Sequence, residues 1–298
     1  MSAPGSDARP SDAIAADAVA GAASPWLFFR EPLGLLGFAL VLLVIFLGVF
    51  ADWVVPFDPF AISLADSFLG PSHIHLLGTD QLGRDVLSRV IKGSQIAIFV
   101  GLTSIVIALL LGLVIGLVAG YGGRRLDNAL LIVMDTIYSF PTVMLALALI
   151  TLLGNSLLTL ILVVVVIQTP AYGRLVRSST LTAKTSLYVA AERAMGAGTI
   201  RILARHILPN IIGPVVIVAS MDIPAVIALE AGLSFLGLGT PPPAPSWGRI
   251  LSEGYQSIRE APWIVIGGGL PLIVTTLGFT FLGEALRDFL DPKLRRMI

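Results

Sequence analysis

Gly93-Ser-Gln-Ile-Ala-Ile-Phe-Val-Gly-Leu-Thr-Ser-Ile-Val-Ile-Ala-Leu-Leu-Leu-Gly-Leu-Val-Ile-Gly-Leu-Val-Ala-Gly-Tyr-Gly-Gly123 runs for 31 residues without a charged side chain. A soluble helix keeps one polar face, and this stretch has none. A bilayer core about 30 Å thick takes roughly 20 apolar residues in helical form, because lipid cannot satisfy open backbone groups. The run is therefore long enough to cross a membrane with residues to spare.

The rest of the 298-residue chain agrees. Only 13% of its residues are charged, about half the share usual in soluble domains. Leu33–Ala51 is a second uncharged block, set between Glu31 and Asp52. Asn128–Gly173 holds one charge, Asp135, and is long enough for two crossings, with Gly154-Asn155-Ser156 as the turn. Ile207–Ala231, interrupted by Asp222 and Glu230, and Ala261–Gly283 complete the set. The expected fold is all-α and polytopic, with about six transmembrane helices. Residues 1–25, rich in Ala, Ser, Asp, Pro and Gly, read as a disordered cytoplasmic tail. Residues 26–92 hold the first helix and an external segment, and 93–298 the core, including a cytoplasmic loop at 174–209.

Nineteen basic residues balance nineteen acidic ones, so net charge offers no basis for nucleic-acid binding. Their distribution is uneven. With residue 1 inside, 14 of the basic side chains fall on the inner segments and five, Arg84, Arg89, Lys92, Arg249 and Arg259, on the outer ones. The positive-inside rule then places both termini in the cytoplasm.

The inner segment Arg174–His206 is longer than a turn requires. Tyr188, Ala191, Ala194 and Met195 recur at helical spacing, Gly196 and Gly198 break the helix, and a short second helix follows. An amphipathic connector on the membrane surface would fit this pattern. So would a docking knob whose small side chains let a cytoplasmic partner approach.

The run Tyr188-Val-Ala-Ala-Glu-Arg-Ala-Met-Gly196 through Arg205-His-Ile-Leu-Pro-Asn210 resembles the cytoplasmic "EAA" loop of ABC-type importer permeases. That pattern reads Glu-Ala-Ala, three residues, Gly, nine residues, Ile, one residue, Leu-Pro. Ala191, Gly196, Leu208 and Pro209 match it. Ala190 stands where glutamate is expected, Glu192 where the second alanine is, and His206 at the isoleucine position. Leu77–Arg89, Leu229–Gly239 with Pro245-Ser-Trp-Gly248, and Leu282–Leu294 are each similar to segments of the dipeptide and oligopeptide "C" permeases.

The resemblance implies a permease subunit of an ATP-driven, binding-protein-dependent importer in a bacterial cytoplasmic membrane, most naturally for di- or oligopeptides, working by alternating access. It also implies partners: a paralogous permease, two cytoplasmic ABC ATPases that bind ATP and Mg, an extracytoplasmic solute-binding protein, and surrounding lipid. This chain would bind no cofactor itself. Its three lysines, Lys92, Lys184 and Lys293, never follow a glycine, so it has no phosphate-binding loop of the Gly-Lys-Ser/Thr kind. The same machine importing nickel, glutathione or another small solute is an alternative, and a proton-coupled secondary transporter is a competitor.

The coupling residues expected on this basis are Ala190, Ala191, Glu192, Gly196, His206, Leu208 and Pro209. Asp135, Asp222 and Glu230 are acids in or near spans, with no lysine or arginine inside any span to pair with them, and are candidates for the translocation path. After Pro241–Pro245, Ser246 is a plausible cap for a short surface helix. Its Trp247, Arg249 and Ile250 are candidate contacts for an external partner. Gly112, Gly116 and Gly120, four apart, suit close helix packing. His73 and His75 stand without a carboxylate neighbour in sequence, so no metal spacing is present. No nucleophile, base and orienting acid stand together, which predicts a non-catalytic chain.

Overall fold

The computed structural model describes residues 32–290, so the expected tail at 1–25 lies outside the described residues. The order is α1 (Pro32–Val49), α2 (Ala51–Val54), α3 (Val86–Tyr121), α4 (Arg124–Tyr138), α5 (Thr142–Leu153), α6 (Leu157–Lys184), α7 (Leu187–Ala194), α8 (Thr199–Ile202), α9 (Leu208–Met221), α10 (Ile223–Phe235), α11 (Trp247–Gln256) and α12 (Pro262–Leu290). A π-helical turn, Leu203–Ile207, joins α8 to α9.

Five helical stretches are long and apolar enough to cross a membrane, and a sixth crossing is the bent pair α4–α5. The geometry of α3 and α6 requires that sixth crossing. A Cβ on Gly112 would meet Tyr172 at 2.5 Å, one on Gly116 would meet Gly173 O and Val176 at 2.6 Å, and one on Gly120 would meet Thr180 at 2.7 Å. Rising numbers meet rising numbers, so α3 and α6 run parallel and the chain must return between them. Glycines four apart let the two backbones approach closely.

The return path differs from the straight helix expected over the first half of Asn128–Gly173. It bends by 90° between Tyr138 and Thr142. Pro141 explains the corner, since it lacks an amide hydrogen and disfavours helix at the preceding Phe140. The turn at Gly154-Asn155-Ser156 is where expected. Gly154 has φ +84°, and the Ser156 hydroxyl accepts from Thr159 N at 3.0 Å to start α6.

Two helix limits also move. α3 begins at Val86 rather than Gly93, capped by Asp85, whose carboxylate accepts from Ser88 N at 2.7 Å. Arg89 and Lys92 therefore lie inside a spanning helix, and both are paired there, with Asp80 and Glu253 and with Asp52 respectively. α6 runs past Gly173 to Lys184, so the first third of the expected Arg174–His206 loop is helix. At Asp222 the chain stays in helical geometry (φ −84°, ψ −12°), and α9 and α10 together make one crossing.

The main core joins α1, α3, α6, α9, α10, α11 and α12 through Val41, Ala97, Val164, Ala219, Val226, Trp247 and Phe279. Much of the outer face stays apolar, as with Leu42, Phe46, Val106, Leu110, Val114 and Leu152. That pattern suits hydrocarbon as the surrounding solvent.

The 52–85 segment is held down by polar contacts. The Trp263 indole donates to Thr79 O at 3.1 Å, and the Thr79 hydroxyl donates to Asp66 O at 2.5 Å. Behind them Arg89, 2% exposed, pairs with Asp80 and lies 2.6 Å from Glu253, while Arg84 Nε lies 2.7 Å from Asp80. Burial pushes the Glu253 carboxyl up, but the hydrogen bond and charge of Arg89, the charge of Arg84 and the hydrogen bond of Arg249 outweigh it and hold it below its ordinary value. His75 does have a carboxylate partner: its Nδ1 lies 2.9 Å from Asp85 Oδ1. The two residues are ten apart, and the loop between them folds back.

Candidate functional site

Residues 185–207 stand beyond the shared end of α3 and α6. α7 ends in a Schellman motif, with Gly196 at φ +83°, Ala197 N donating to Glu192 O and Gly196 N to Arg193 O, each at 3.0 Å. The left-handed glycine turns the chain sharply into α8. Val189, Ile202 and Ile207, all at most 1% exposed, pack with Leu113, Val176 and Val215, which fastens the two short helices to three long ones. The opposite face is bare: Leu187 is 89% exposed, Ile200 82% and Met195 72%.

Of the expected coupling residues, Ala190, Ala191, Gly196 and Pro209 are exposed, and Glu192, His206 and Leu208 are half-buried. Glu192 and His206 meet, Nε2 to Oε1 at 3.3 Å, and tie α7 to the π-turn. Spacing alone did not mark three further residues. Lys184 Nζ donates to Tyr121 O at 2.9 Å, satisfying the last carbonyls of α3. Arg193 Nε donates to the Tyr121 hydroxyl at 3.2 Å and its guanidinium lies 5.2 Å from that ring. Tyr121 thus links the loop to the longest helix. Its sequence distance of 72 residues from Arg193 left no local signal.

The three intramembrane acids do not form one group. Asp135 is exposed and lies 3.4 Å from Arg174 Nη1, which also stacks 3.8 Å over Tyr138. A basic partner therefore exists, on the continuation of α6 that sequence analysis assigned to a loop. Glu230, 1% exposed, accepts from Ser234 Oγ at 2.6 Å and Thr240 Oγ1 at 3.3 Å. It ties α10 to the following loop. Asp222 accepts from the Tyr172 hydroxyl at 3.0 Å and faces a cavity of about 380 Å3 at the α4–α5 corner, with Tyr138, Phe140, Thr142 and Gln168.

At the other end of the bundle Ser246 caps α11 as expected, accepting from Arg249 N at 3.3 Å. The apolar stripe of the helix faces inward, while Tyr255 on the other side is 65% exposed. Trp247 and Ile250 are 1% and 0% exposed, and the Trp247 indole donates to Val90 O at 3.0 Å. A stripe of apolar residues has the same spacing whether it faces a partner or a core, and here the core takes it. Neither Trp247 nor Ile250 offers an outer contact in this conformation; Arg249 alone of the three reaches the surface. Among the described residues no group of three His, Cys, Asp or Glu is placed to hold a metal ion.

Residues 112–296 match the family described as the binding-protein-dependent transport system inner membrane component, and residues 24–71 match the N-terminal TM domain of oligopeptide transport permease C. The di/tripeptide transport system permease protein DppC of Pseudomonas aeruginosa is 38% identical over 277 residues, 91% of each chain. The glutathione transport system permease protein GsiD of Pectobacterium atrosepticum is 37% identical, covering 91% of this chain and 92% of its own. The probable D,D-dipeptide transport system permease protein DdpC of Escherichia coli is 35% identical over 92% of each. Among solved structures, an inward-facing form of the MetNI methionine ABC transporter superposes with a TM-score of 0.53 at 20% identity, covering 69% of this chain and 96% of that one. That last likeness concerns the fold.

Proposed function

Since this chain belongs to the family of binding-protein-dependent transport system inner membrane components, we propose that it carries short peptides across a bacterial cytoplasmic membrane in an importer whose ATP is hydrolysed by partner subunits. Its termini lie inside on this reading, as the distribution of basic residues requires. Residues 185–207 then face the cytoplasm and dock on an ATPase that binds ATP and Mg. The 52–85 segment and α11 lie at the outer end, where a solute-binding protein would deliver cargo. A paralogous permease completes the path, and alternating access follows from ATP-driven movement of the docked loop.

The observation that carries this reading is the two-sided construction of the loop. One face is packed into three spanning helices and the other presents Leu187, Met195 and Ile200 to solvent. Large apolar side chains held out on a firm base suit a protein contact. The peptide cargo is supported by the relatives named for dipeptide, di/tripeptide and D,D-dipeptide transport. The glutathione relative fits the same size class, because glutathione is itself a tripeptide.

Substitution Gly196→Val tests the docking role. No atom lies within 4 Å of the new Cβ, so the strain comes from φ +83° rather than from crowding. The variant should insert and assemble its bundle yet lose ATP-dependent peptide uptake. Uptake at the level of the unaltered protein would sink the docking role of this corner.

A further inference from the structure

We propose that the cavity at the α4–α5 corner is a transit site for the free α-ammonium group of a peptide, with the Asp222 carboxylate as its counter-charge. The inference rests on the peptide-permease reading above and adds a recognition chemistry to it.

Asp222 lies 14 residues beyond Leu208 along α9, about 21 Å at 1.5 Å per residue, far from either end of its crossing. A carboxylate at that depth is costly unless something compensates it. Among the described residues no lysine, arginine or histidine lies within 4.0 Å of it. Among those residues the one hydrogen bond to the carboxylate comes from the Tyr172 hydroxyl to Oδ2. Asp222 is one of the residues lining the cavity, and among the described residues no hydrogen bond reaches its Oδ1. Arg174, the basic residue at the mouth, is taken up by Asp135 and the Tyr138 ring.

The lining narrows the occupant. A metal ion is poorly served by one carboxylate without further acidic or imidazole donors. A proton alone needs no cavity, and about 380 Å3 falls in the range of small-ligand sites. Phe140 adds an aromatic ring, which attracts organic cations. Gln168 can both donate to and accept from a peptide bond. Leu145 and Ile167 are apolar walls that accept varied side chains without choosing among them. A free α-ammonium beside a peptide bond is common to linear peptides regardless of sequence, and this lining addresses those two groups.

The test uses the complete importer in proteoliposomes, with trialanine as probe and trialanine delivered per ATP hydrolysed as readout. Asp222→Asn, which keeps shape and removes charge, should lower delivery about tenfold, the size of one lost charge-assisted hydrogen bond. Asp222→Glu should restore most of it. Tyr172→Phe removes the internal hydrogen bond but keeps the carboxylate, and should lower delivery less than Asp222→Asn does. Equal delivery by Asp222→Asn, or a loss in Tyr172→Phe as large as in Asp222→Asn, would overturn the proposal, the latter by showing a structural carboxylate. If Asp222→Asn does not assemble, Gln168→Leu decides: a severalfold drop is expected, and unchanged delivery overturns the site. An unaltered importer that hydrolyses ATP but delivers no trialanine would instead refute the peptide cargo.

Discussion

Glu192 and His206, the two half-buried side chains that stand where the resembled loop pattern has alanine and isoleucine, face one another across the Gly196 turn with Nε2 3.3 Å from Oε1. Glu192, which departs from the pattern, therefore has its complement in His206.

Because the pair is about a quarter exposed, its coupling should be modest, about 0.2–1 kcal/mol. Glu192→Ala and His206→Ile should each weaken uptake more than the double variant does, since the double variant leaves neither side chain without its partner. Uptake measured across that double-mutant cycle checks it; strictly additive losses would mean that the two residues act separately.

Arg89 is the most buried cation of the outer cluster and serves two carboxylates, Asp80 and Glu253. Removing it leaves the more exposed Arg84 as the cation shared by both carboxylates. Arg89→Met is expected to destabilise the outer end by about 3–5 kcal/mol, read as a lowered melting temperature in detergent. Glu253→Gln should cost less, because Asp80 still holds Arg89.

The same cluster sets an acid limit. The Glu253 carboxyl is held below its ordinary value of 4.5 in the folded chain. Its contribution is therefore complete above pH 4.5 and disappears as pH falls through the lower folded-state value. Melting temperature followed from pH 7 to 3 should decline over that interval, and Glu253→Gln should be less stable at pH 7 yet flatter below 4.5. Equal slopes in the two proteins would exclude Glu253 as a source of acid sensitivity.

At the α3–α6 contact, Gly116→Leu places a Cβ 2.6 Å from Gly173 O and from Val176. Backbone cannot yield as a side chain does, so a loss of more than about 3 kcal/mol and a low folded yield are expected. Gly213→Ala is the control. Nothing lies within 4 Å of its Cβ, and its melting temperature should be unchanged or raised.

Crossings could be counted from the chain because the bilayer imposes a length and forbids charge, both of which are visible in one dimension. The loop was visible for a related reason: Gly196, Leu208 and Pro209 act on their own backbone. The α4–α5 corner was less so. Pro141 marks a break, but whether a break ends a helix or folds it back depends on what packs against it.

Charge and apolar stripes were the harder cases. Composition and spacing established a polytopic helical chain, its turn at Gly154-Asn155-Ser156, the cap at Ser246, and the small-residue seam of α3. These depend on hydrophobic length and local backbone geometry. The inward face of Trp247, the pairing of Arg174 with Asp135, the cation clamp on Tyr121 and the open carboxylate of Asp222 depend on which helices become neighbours. Sequence spacing specifies the face a side chain occupies, and only the packed bundle determines whether that face meets core, lipid, cavity or solvent.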